Sequence, residues 1–316
     1  MSKPRLLPAS PRRPASAELR PEPPQGGPAI AEIRPGQSVE LLKELHILTR
    51  DGKLNQDTRR KLKQVYHLYQ LIAPLLEEVA ASGGELTLAD HGAGKSYLGF
   101  ILYDLYFNVA HAGEALPGRI FGIETRAELV EKSRMLAGRL GFSRMAFVHA
   151  TVAESTTSAE LPASVAIVTA LHACDTATDD AIAFGLVKLA RHIVLVPCCQ
   201  AEVAGHLRQN KALALRRTPL AELCRHPLHT REFGSQITNV LRCLQLEASG
   251  YDVTVTELVG WEHSMKNELI RASLPTRPNA AKAREAGTRL AALLGELQLE
   301  ELGARFSVAQ PGAPSS

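Results

Sequence analysis

The sequence of 316 residues has no apolar run as long as the roughly 18 residues that a membrane span needs. Its N-terminus lacks the compact apolar region of a secretory signal peptide. The chain has only five cysteines, an odd number, so a disulfide framework is not expected. These absences predict a cytoplasmic protein with reduced thiols and without a membrane partner.

Charge of one sign is also lacking, because 36 Lys and Arg residues face 33 Asp and Glu residues. The resulting net charge of +3 is too small to indicate a nucleic-acid binder by itself, since such proteins usually concentrate basic residues on one face. The hydrophobic fraction of 45% is that of an ordinary globular protein with one large domain or two small ones.

Composition and periodicity divide the chain into four predicted parts. The first is rich in Pro, Ser, Ala and Arg and cannot assemble a buried face, so we expect a disordered tail. Apolar residues at helical spacing follow, with Asp57 as the expected N-cap of the second helix. The predicted parts are a tail over 1–38, an N-terminal helical extension over 39–83, a main domain over 84–275 with a basic insertion at 207–234, and a C-terminal helix with a disordered end over 276–316.

Strand and helix patterns alternate through the main domain. Strands are predicted at 86–90, 118–123, 145–149, 164–170 and 192–197. Helices are predicted at 95–111, 126–140, 176–190, 200–215, 235–249 and 279–304. Two late segments, "YDVTVTELVG" and "NELIRASL", alternate like antiparallel strands.

Short and wholly apolar strands between helices are typical of a parallel sheet that is covered on both faces. The predicted fold class is therefore α/β, a Rossmann-like, doubly wound and mostly parallel sheet of seven strands with an antiparallel edge hairpin.

The first strand runs into "LADHGAGKSYLGF", whose GAGKS looks like a phosphate-binding loop. That loop needs an earlier glycine at the position of Ala89, which lies inside the predicted strand. The spacing therefore disfavours a nucleoside triphosphate. Asp90, Gly92 and Gly94 instead form a turn that places backbone amides at the carboxyl edge of the sheet.

The second strand ends at Glu124, where a carboxylate can accept both hydroxyls of a ribose. In dinucleotide-binding folds such an acid follows the glycines by about 20 residues. Glu124 follows Gly94 by 30 residues, and Tyr97 takes the place of the third glycine. This spacing disfavours NAD.

An acid before the glycines and a second acid at the next strand end resemble the class I S-adenosylmethionine-dependent methyltransferases. The resemblance implies that Asp90, Gly92 and Gly94 hold the methionine side of S-adenosylmethionine, and that Glu124 binds its ribose. Lys95 would offer its ammonium to the methionine carboxylate at the start of the helix. Alternatively, the glycines form an ordinary strand-to-helix turn and Glu124 caps the next helix.

The fourth strand is followed by "LHACDTATDDA" and the fifth by "VPCCQAE". These motifs resemble a subset of methyltransferase domains that includes those of the acceptor-stem tRNA 2'-O-ribose methyltransferase and of glutathione S-transferase C-terminal domain-containing protein. The resemblance covers about 45–275 and extends to "GKLNQDTRRKLKQVYHL", "GAGKSYLGF" and "MKNELIRA". The usual (N/D)PP(Y/F) motif of the class is absent, and Gln200 and Ala201 replace a His-His pair of the tRNA enzyme.

Methyl transfer is an in-line displacement on a sulfonium, so a hydroxyl acceptor must also lose a proton. His172 would be the base, Asp175 would orient it or bind the acceptor, and Cys174 and Cys198 would face the methyl group. Equally, His172 would cap the helix that starts near Thr176, and Asp175 would be its N-cap in a capping box with Asp179.

Three interpretations of the cysteines stay open. One is covalent catalysis as in RNA cytosine-5 methyltransferases, although Ala173 stands where those enzymes have proline. Another is a zinc site formed by His172, Cys174, Cys198 and Cys199. The third is small buried residues at tight strand ends, with no metal.

Basic stretches at 58–64 and 207–231 flank the predicted active edge in sequence and could follow a phosphate backbone. We therefore expect structured RNA, either tRNA or rRNA, as the methyl acceptor, with a protein or a small molecule as the alternative acceptor, and neither DNA nor a membrane as a partner. Trp261 would stack on a base or pack at a hairpin turn. The rival hypothesis is an inactive adaptor that binds S-adenosylmethionine and recognises RNA or protein.

Overall fold

The structure, a computed structural model, describes residues 32–114, 116–171, 175–197, 200–209, 218–258 and 268–307. Its strands are β1 (Leu86–His91), β2 (Gly118–Glu124), β3 (Met145–His149), β4 (Ile167–Leu171), β5 (His192–Val196), β6 (Asp252–Glu257) and β7 (Glu268–Ser273). They form one sheet in the order β3-β2-β1-β4-β5-β7-β6. Strands β1 to β5 pair in parallel, whereas β7 pairs antiparallel with both β5 and β6.

The helices are α1 (Val39–Glu44), α2 (Gln56–Ala81), α3 (Tyr97–Tyr103), α4 (Ala127–Leu140), α5 (Val152–Thr157), α6 (Thr176–Val187), α7 (Glu202–Gln209), α8 (Pro227–Ala248) and α9 (Ala280–Glu296). This α/β architecture confirms the predicted fold class, a mostly parallel Rossmann-like sheet of seven strands with an antiparallel edge hairpin. The parallel strands read as continuous apolar segments because both faces of the sheet are buried.

Two hydrophobic cores stabilise the packing of the sheet and the helices. The first packs the central strands against α6 and includes Ala89, Val168, Phe184 and Ile193. The second joins α7, α8 and α9 and includes Leu241. The compact unit that carries the sheet spans Gly36–Ser316. None of the helices in the described ranges combines the length and the apolarity needed to cross a bilayer.

The prediction of Asp57 as the N-cap of α2 was wrong by two residues. Asn55 is the N-cap, and its side chain accepts the Thr58 amide at 2.9 Å. The Thr58 hydroxyl accepts the Asn55 amide at 2.7 Å, which completes a capping box. Asp57 lies inside the first turn, where its charge favours the helix dipole.

Two helices also differ from their predicted extents. The predicted helix over 95–111 is split, because α3 begins at Tyr97 and passes into a π-helix at Asp104–Ala110. Helix α8 begins at Pro227 rather than at 235, so the end of the predicted insertion is helical. Proline is compatible with the first turn of a helix, where its missing N–H would have no partner.

Candidate active site

Asp90 lies near the carboxyl end of β1 and is 3% exposed. The β1–β4 register places it opposite Thr169, whose hydroxyl donates to Asp90 Oδ1 at 2.8 Å. Burial raises the pKa of the Asp90 carboxyl to about 7, although the Thr169 hydrogen bond acts in the opposite direction. Such a carboxylate is well suited to a cationic partner that would compensate its buried charge.

The glycine turn after β1 depends on left-handed backbone. Gly92 and Gly94 have φ angles of 61° and 58°, which favour glycine because it carries no Cβ. The Gly94 amide donates to Glu124 Oε2 at 2.7 Å. Asp90, Gly92, Gly94 and Glu124 are therefore brought together at one edge of the sheet, as the sequence predicted.

Gly122 in β2 is a supporting residue that sequence reasoning did not single out. A Cβ at this position would collide with Ser96 Oγ and would lie 3.0 Å from the Phe147 ring. Ser96 is buried and is itself left-handed, with φ of 52°, directly after the glycine turn. Because Gly122 has no side chain, Ser96 and the glycine turn can pack directly against β2.

We expect Gly122→Ala to destabilise the protein by about 1–3 kcal/mol, because the added methyl group overpacks the site. Gly138→Ala in α4 is the matched control, since nothing lies within 4 Å of the added methyl group. That change should be neutral or stabilising by about 0.5–1 kcal/mol. Urea unfolding of both variants measures the difference, and equal stabilities would show that Gly122 is not needed for packing.

Glu124 is 6% exposed at the end of β2. Besides the Gly94 amide, it binds Arg126, whose Nε donates to Oε1 at 3.0 Å and whose Nη2 donates to Oε2 at 3.2 Å. Burial by itself would raise the pKa of Glu124, but the hydrogen bonds from Arg126 and Gly94 lower it. Glu124 also accepts the amide of Arg126, the N-cap residue of α4, at 3.1 Å.

Lys95 and His91 lie beside the glycine turn, and the first is exposed whereas the second is buried. Lys95 is exposed and precedes Ser96, the N-cap of α3, so it lies outside the first helical turn in which it was expected. His91 is 1% exposed, lies edge-on to Phe184 with ring centroids 4.2 Å apart, and its ring nitrogens have no hydrogen-bond partner in the described part of the chain. Burial lowers the pKa of His91 to about 4, so the ring is neutral at physiological pH.

Asp175 stands directly before α6, but the predicted capping box with Asp179 is wrong. Its backbone has φ of 51°, and its side chain makes no capping hydrogen bond to α6. Instead, Asp175 Oδ1 accepts the amides of Ala201 at 3.0 Å and Glu202 at 3.4 Å. The carboxylate therefore connects the chain that follows β4 to the chain that follows β5.

Asp179 is instead the partner of a fully buried arginine that the sequence analysis missed. Arg242 of α8 is 0% exposed, and its Nε donates to Asp179 Oδ1 at 2.6 Å. Its Nη2 donates to the Asp175 carbonyl at 2.9 Å and its Nη1 to Asn239 Oδ1 at 3.1 Å. Arg242 thereby holds the left-handed turn at Asp175, whose strain needs support from surrounding structure.

A cleft of about 400 Å³ opens beside this network, between α8 and the β6–β7 edge. Its wall includes Gln200, whose amide donates to Asn239 Oδ1 at 3.0 Å and whose carbonyl accepts the Ser235 hydroxyl at 2.6 Å. Asn239 in turn donates to Glu268 Oε2 at 2.7 Å. Since Pro197 directly follows β5 and also lines the cleft, the cleft lies at the carboxyl edge of the sheet.

His172, Cys174, Cys198 and Cys199 lie outside the described residues, as does Trp261. Their predicted roles therefore stay predictions. Among the residues that are described, no group of three or more His, Cys, Asp and Glu side chains could hold a metal ion. The described cysteines, Cys224 and Cys243, are free thiols.

Part of this chain is similar to a known protein family. Residues 60–206 match the family model described as a methyltransferase domain. No curated protein has a matching sequence. Residues 60–206 are therefore similar to methyltransferase domains, and this range includes the glycine turn and strands β1 to β5.

Similar folds occur among solved structures. One is the magnesium protoporphyrin IX methyltransferase of Synechocystis PCC 6803 with bound S-adenosylhomocysteine, at 14% identity and a TM-score of 0.39, covering 75% of this chain and 93% of that one. Another is an rRNA methylase of Streptococcus thermophilus, at 8% identity and 0.37, covering 60% and 87%. A third is the precorrin-6y C5,15-methyltransferase of Geobacter metallireducens GS-15, at 19% identity and 0.36, covering 60% and 81%.

Proposed function

We propose that this protein is a methyltransferase that binds S-adenosylmethionine across the turn from Asp90 to Gly94 and the carboxylate of Glu124, and transfers its methyl group to structured RNA. The observation that carries the proposal is the buried Asp90 carboxylate, 3% exposed and with its pKa raised to about 7, beside a glycine turn that is joined to Glu124. The ammonium group of the methionine part would be the cationic partner of the buried Asp90 carboxylate. The sulfonium supplies the activated methyl group.

The residues of this chain would bind and orient the two substrates. Exposed Gly92 leaves the backbone of the turn open to a ligand, since no side chain covers it. Glu124 would accept the ribose hydroxyls, and Lys95 would reach the methionine carboxylate from its exposed position. Alignment of the acceptor with the methyl group lowers the barrier of such a displacement.

The acceptor would enter from the chain segments that follow β4 and β5. Asp175 joins these two segments through the Ala201 and Glu202 amides, which supports a role in shaping the acceptor side. His172 remains the proposed base for a hydroxyl acceptor, and Cys174 and Cys198 remain proposed neighbours of the methyl group.

The proposal of RNA as acceptor is supported by where the helices begin. Tyr69 donates to the Leu105 carbonyl at 3.3 Å, and His111 contacts Glu77 at 2.8 Å, so α2 runs in the same direction as the π-helix that continues α3. The basic stretch 58–64 in the first turns of α2 then lies toward the end of the sheet at which α3 starts. Such lysines and arginines could bind phosphates.

The second basic segment, 207–231, has its described part at residues 207–209 and 218–231. Its end forms the start of α8, and the short turn from α8 into β6 directs that start toward the carboxyl edge. We also propose that the protein works in the cytoplasm, where its thiols would stay reduced.

The first test is calorimetry with S-adenosylhomocysteine, the demethylated product. We expect saturable binding and no binding of ATP. Saturation by ATP with no heat from S-adenosylhomocysteine would overturn the proposed cofactor site.

The second test incubates radiolabelled methyl donor with fractionated cellular RNA and protein. Label in RNA supports the full proposal, and label in protein overturns the RNA acceptor. Tight binding of S-adenosylhomocysteine with label in no fraction would favour the adaptor hypothesis.

A further inference from the structure

The carboxylate of Glu124 is saturated with hydrogen-bond donors from its own chain. Oε2 accepts from the Gly94 amide and from Arg126 Nη2, at 2.7 and 3.2 Å. Oε1 accepts from the Arg126 amide, from Arg126 Nε and from the Thr125 hydroxyl, at 3.1, 3.0 and 3.3 Å. A carboxylate offers about four lone-pair positions, so these donors fill it.

A ribose diol could bind Glu124 only if some of these donors leave, because its two hydroxyls must each find an acceptor position. The backbone amides of Gly94 and Arg126 are held by the glycine turn and by the start of α4. The Arg126 guanidinium is not held in this way, since its side chain is 59% exposed, whereas that of Glu124 is 7% exposed. Apart from the single, long hydrogen bond of the Thr125 hydroxyl, the guanidinium is therefore the donor that can move, and it supplies two of the five hydrogen bonds.

We propose that Arg126 is an additional residue of the cofactor site that occupies the ribose position through its ion pair with Glu124, and that it competes with S-adenosylmethionine for that carboxylate. This inference rests on the proposed function of Glu124. Cofactor binding then replaces two charge-assisted hydrogen bonds from the guanidinium by two hydroxyl donors. The cost of breaking this pair is small but not zero, because one partner is largely in solvent.

The test is calorimetric titration of Arg126→Gln and Arg126→Lys with S-adenosylhomocysteine. We expect Arg126→Gln to bind about two- to fivefold more tightly than the wild-type protein, the range for an ion pair with an exposed partner. Arg126→Lys keeps the charge but cannot form the two-point contact, so its affinity should lie between the two. Melting curves of the free proteins check that both variants are folded.

The matched control is Arg139→Gln, which removes an exposed arginine near the other end of α4. Arg139 is 54% exposed and pairs with Glu44 at 2.6 Å, away from the glycine turn. Its removal changes the net charge by the same amount and should leave the affinity unchanged. Tighter binding by Arg139→Gln as well would assign the effect to net charge and overturn the inference.

A salt series gives a second readout. Raising the salt concentration from about 50 mM to about 500 mM screens the exposed guanidinium, so the wild-type protein should gain affinity relative to Arg126→Gln. Unchanged or weaker binding by Arg126→Gln, with the wild-type protein still binding, would overturn the inference and leave the proposed function intact. Absence of binding by both proteins would instead overturn the proposed function, and the role of Arg126 with it.

Discussion

Replacing Asp90 by asparagine will weaken the binding of S-adenosylhomocysteine on the order of 100-fold, or about 3 kcal/mol, if the carboxylate holds the ligand's ammonium. Asparagine keeps the shape of the side chain and an oxygen that can accept the hydrogen bond from the Thr169 hydroxyl. In the wild-type protein that hydroxyl lies 2.8 Å from Asp90 Oδ1. The change therefore removes the charge and little else. Calorimetry at pH 8 measures the loss, because Asp90 of the wild-type protein is largely ionised there.

The same variant will be more stable than the wild-type protein in alkaline buffer. The folded pKa of Asp90, about 7, lies above its ordinary value of 3.8, so its contribution to stability is complete below pH 3.8 and is lost as the pH rises through 7. That loss is about 4 kcal/mol, which the neutral asparagine avoids. Urea unfolding at pH 4.5 and pH 8 should show the stability gap widening with pH.

Asp104→Asn is the matched control for Asp90→Asn. Asp104 is also a buried carboxylate, at 0% exposure, and burial raises its pKa to about 6 against the hydrogen bonds from Ser38 and Asn108. It lies at the start of the π-helix, outside the glycine turn. Asp104→Asn should leave ligand affinity unchanged, and equal affinities of the two variants would contradict a binding role for Asp90.

Replacing Arg242 by methionine will destabilise the protein by about 3–5 kcal/mol, because it leaves the Asp179 carboxylate buried without its counter-ion. Asp179 is 4% exposed. The change also removes the donors to the Asp175 carbonyl and to Asn239. Urea unfolding near neutral pH measures the loss.

The double variant Asp179→Asn, Arg242→Met separates this pair from general repacking. It should lose less stability than the sum of the two single variants, since neither buried charge remains. Arg289→Met is the matched control, because Arg289 pairs with Glu247 at 3.0 Å but is 52% exposed. Its cost should stay below about 1 kcal/mol, and a similar cost for Arg242→Met would mean that the buried pair contributes no more than a surface pair.

The set of residues at the carboxyl edge of the sheet was predictable because it follows from local sequence patterns. Apolar strands that alternate with helices specify a parallel sheet, and the carboxyl ends of its strands meet at one edge. The residues at those ends, Asp90 and Glu124, must then lie near each other whatever the details of packing. Left-handed Gly92 and Gly94 were likewise predictable, since few other residues tolerate such a turn.

Other parts of the site depend on residues that are far apart in the chain. The sequence suggested that Asp175 and Asp179 form a capping box, but the partner of Asp179 is Arg242, which lies 63 residues away on α8. No periodicity marks such a pair, because it forms only where two helices and two strand ends converge. The same holds for Gln200, whose hydrogen-bond partner Asn239 lies 39 residues away on α8.

The sequence alone determined the α/β class, the glycine turn and the two acids at adjacent strand ends, because strand periodicity and glycine geometry act over a few residues. Only the tertiary structure decided that Glu124 is already covered by Arg126, that Gly122 must leave room for Ser96, and that a buried arginine supports the Asp175 turn. These features depend on which side chains packing brings within hydrogen-bonding or van der Waals distance, and local sequence patterns do not encode those distances.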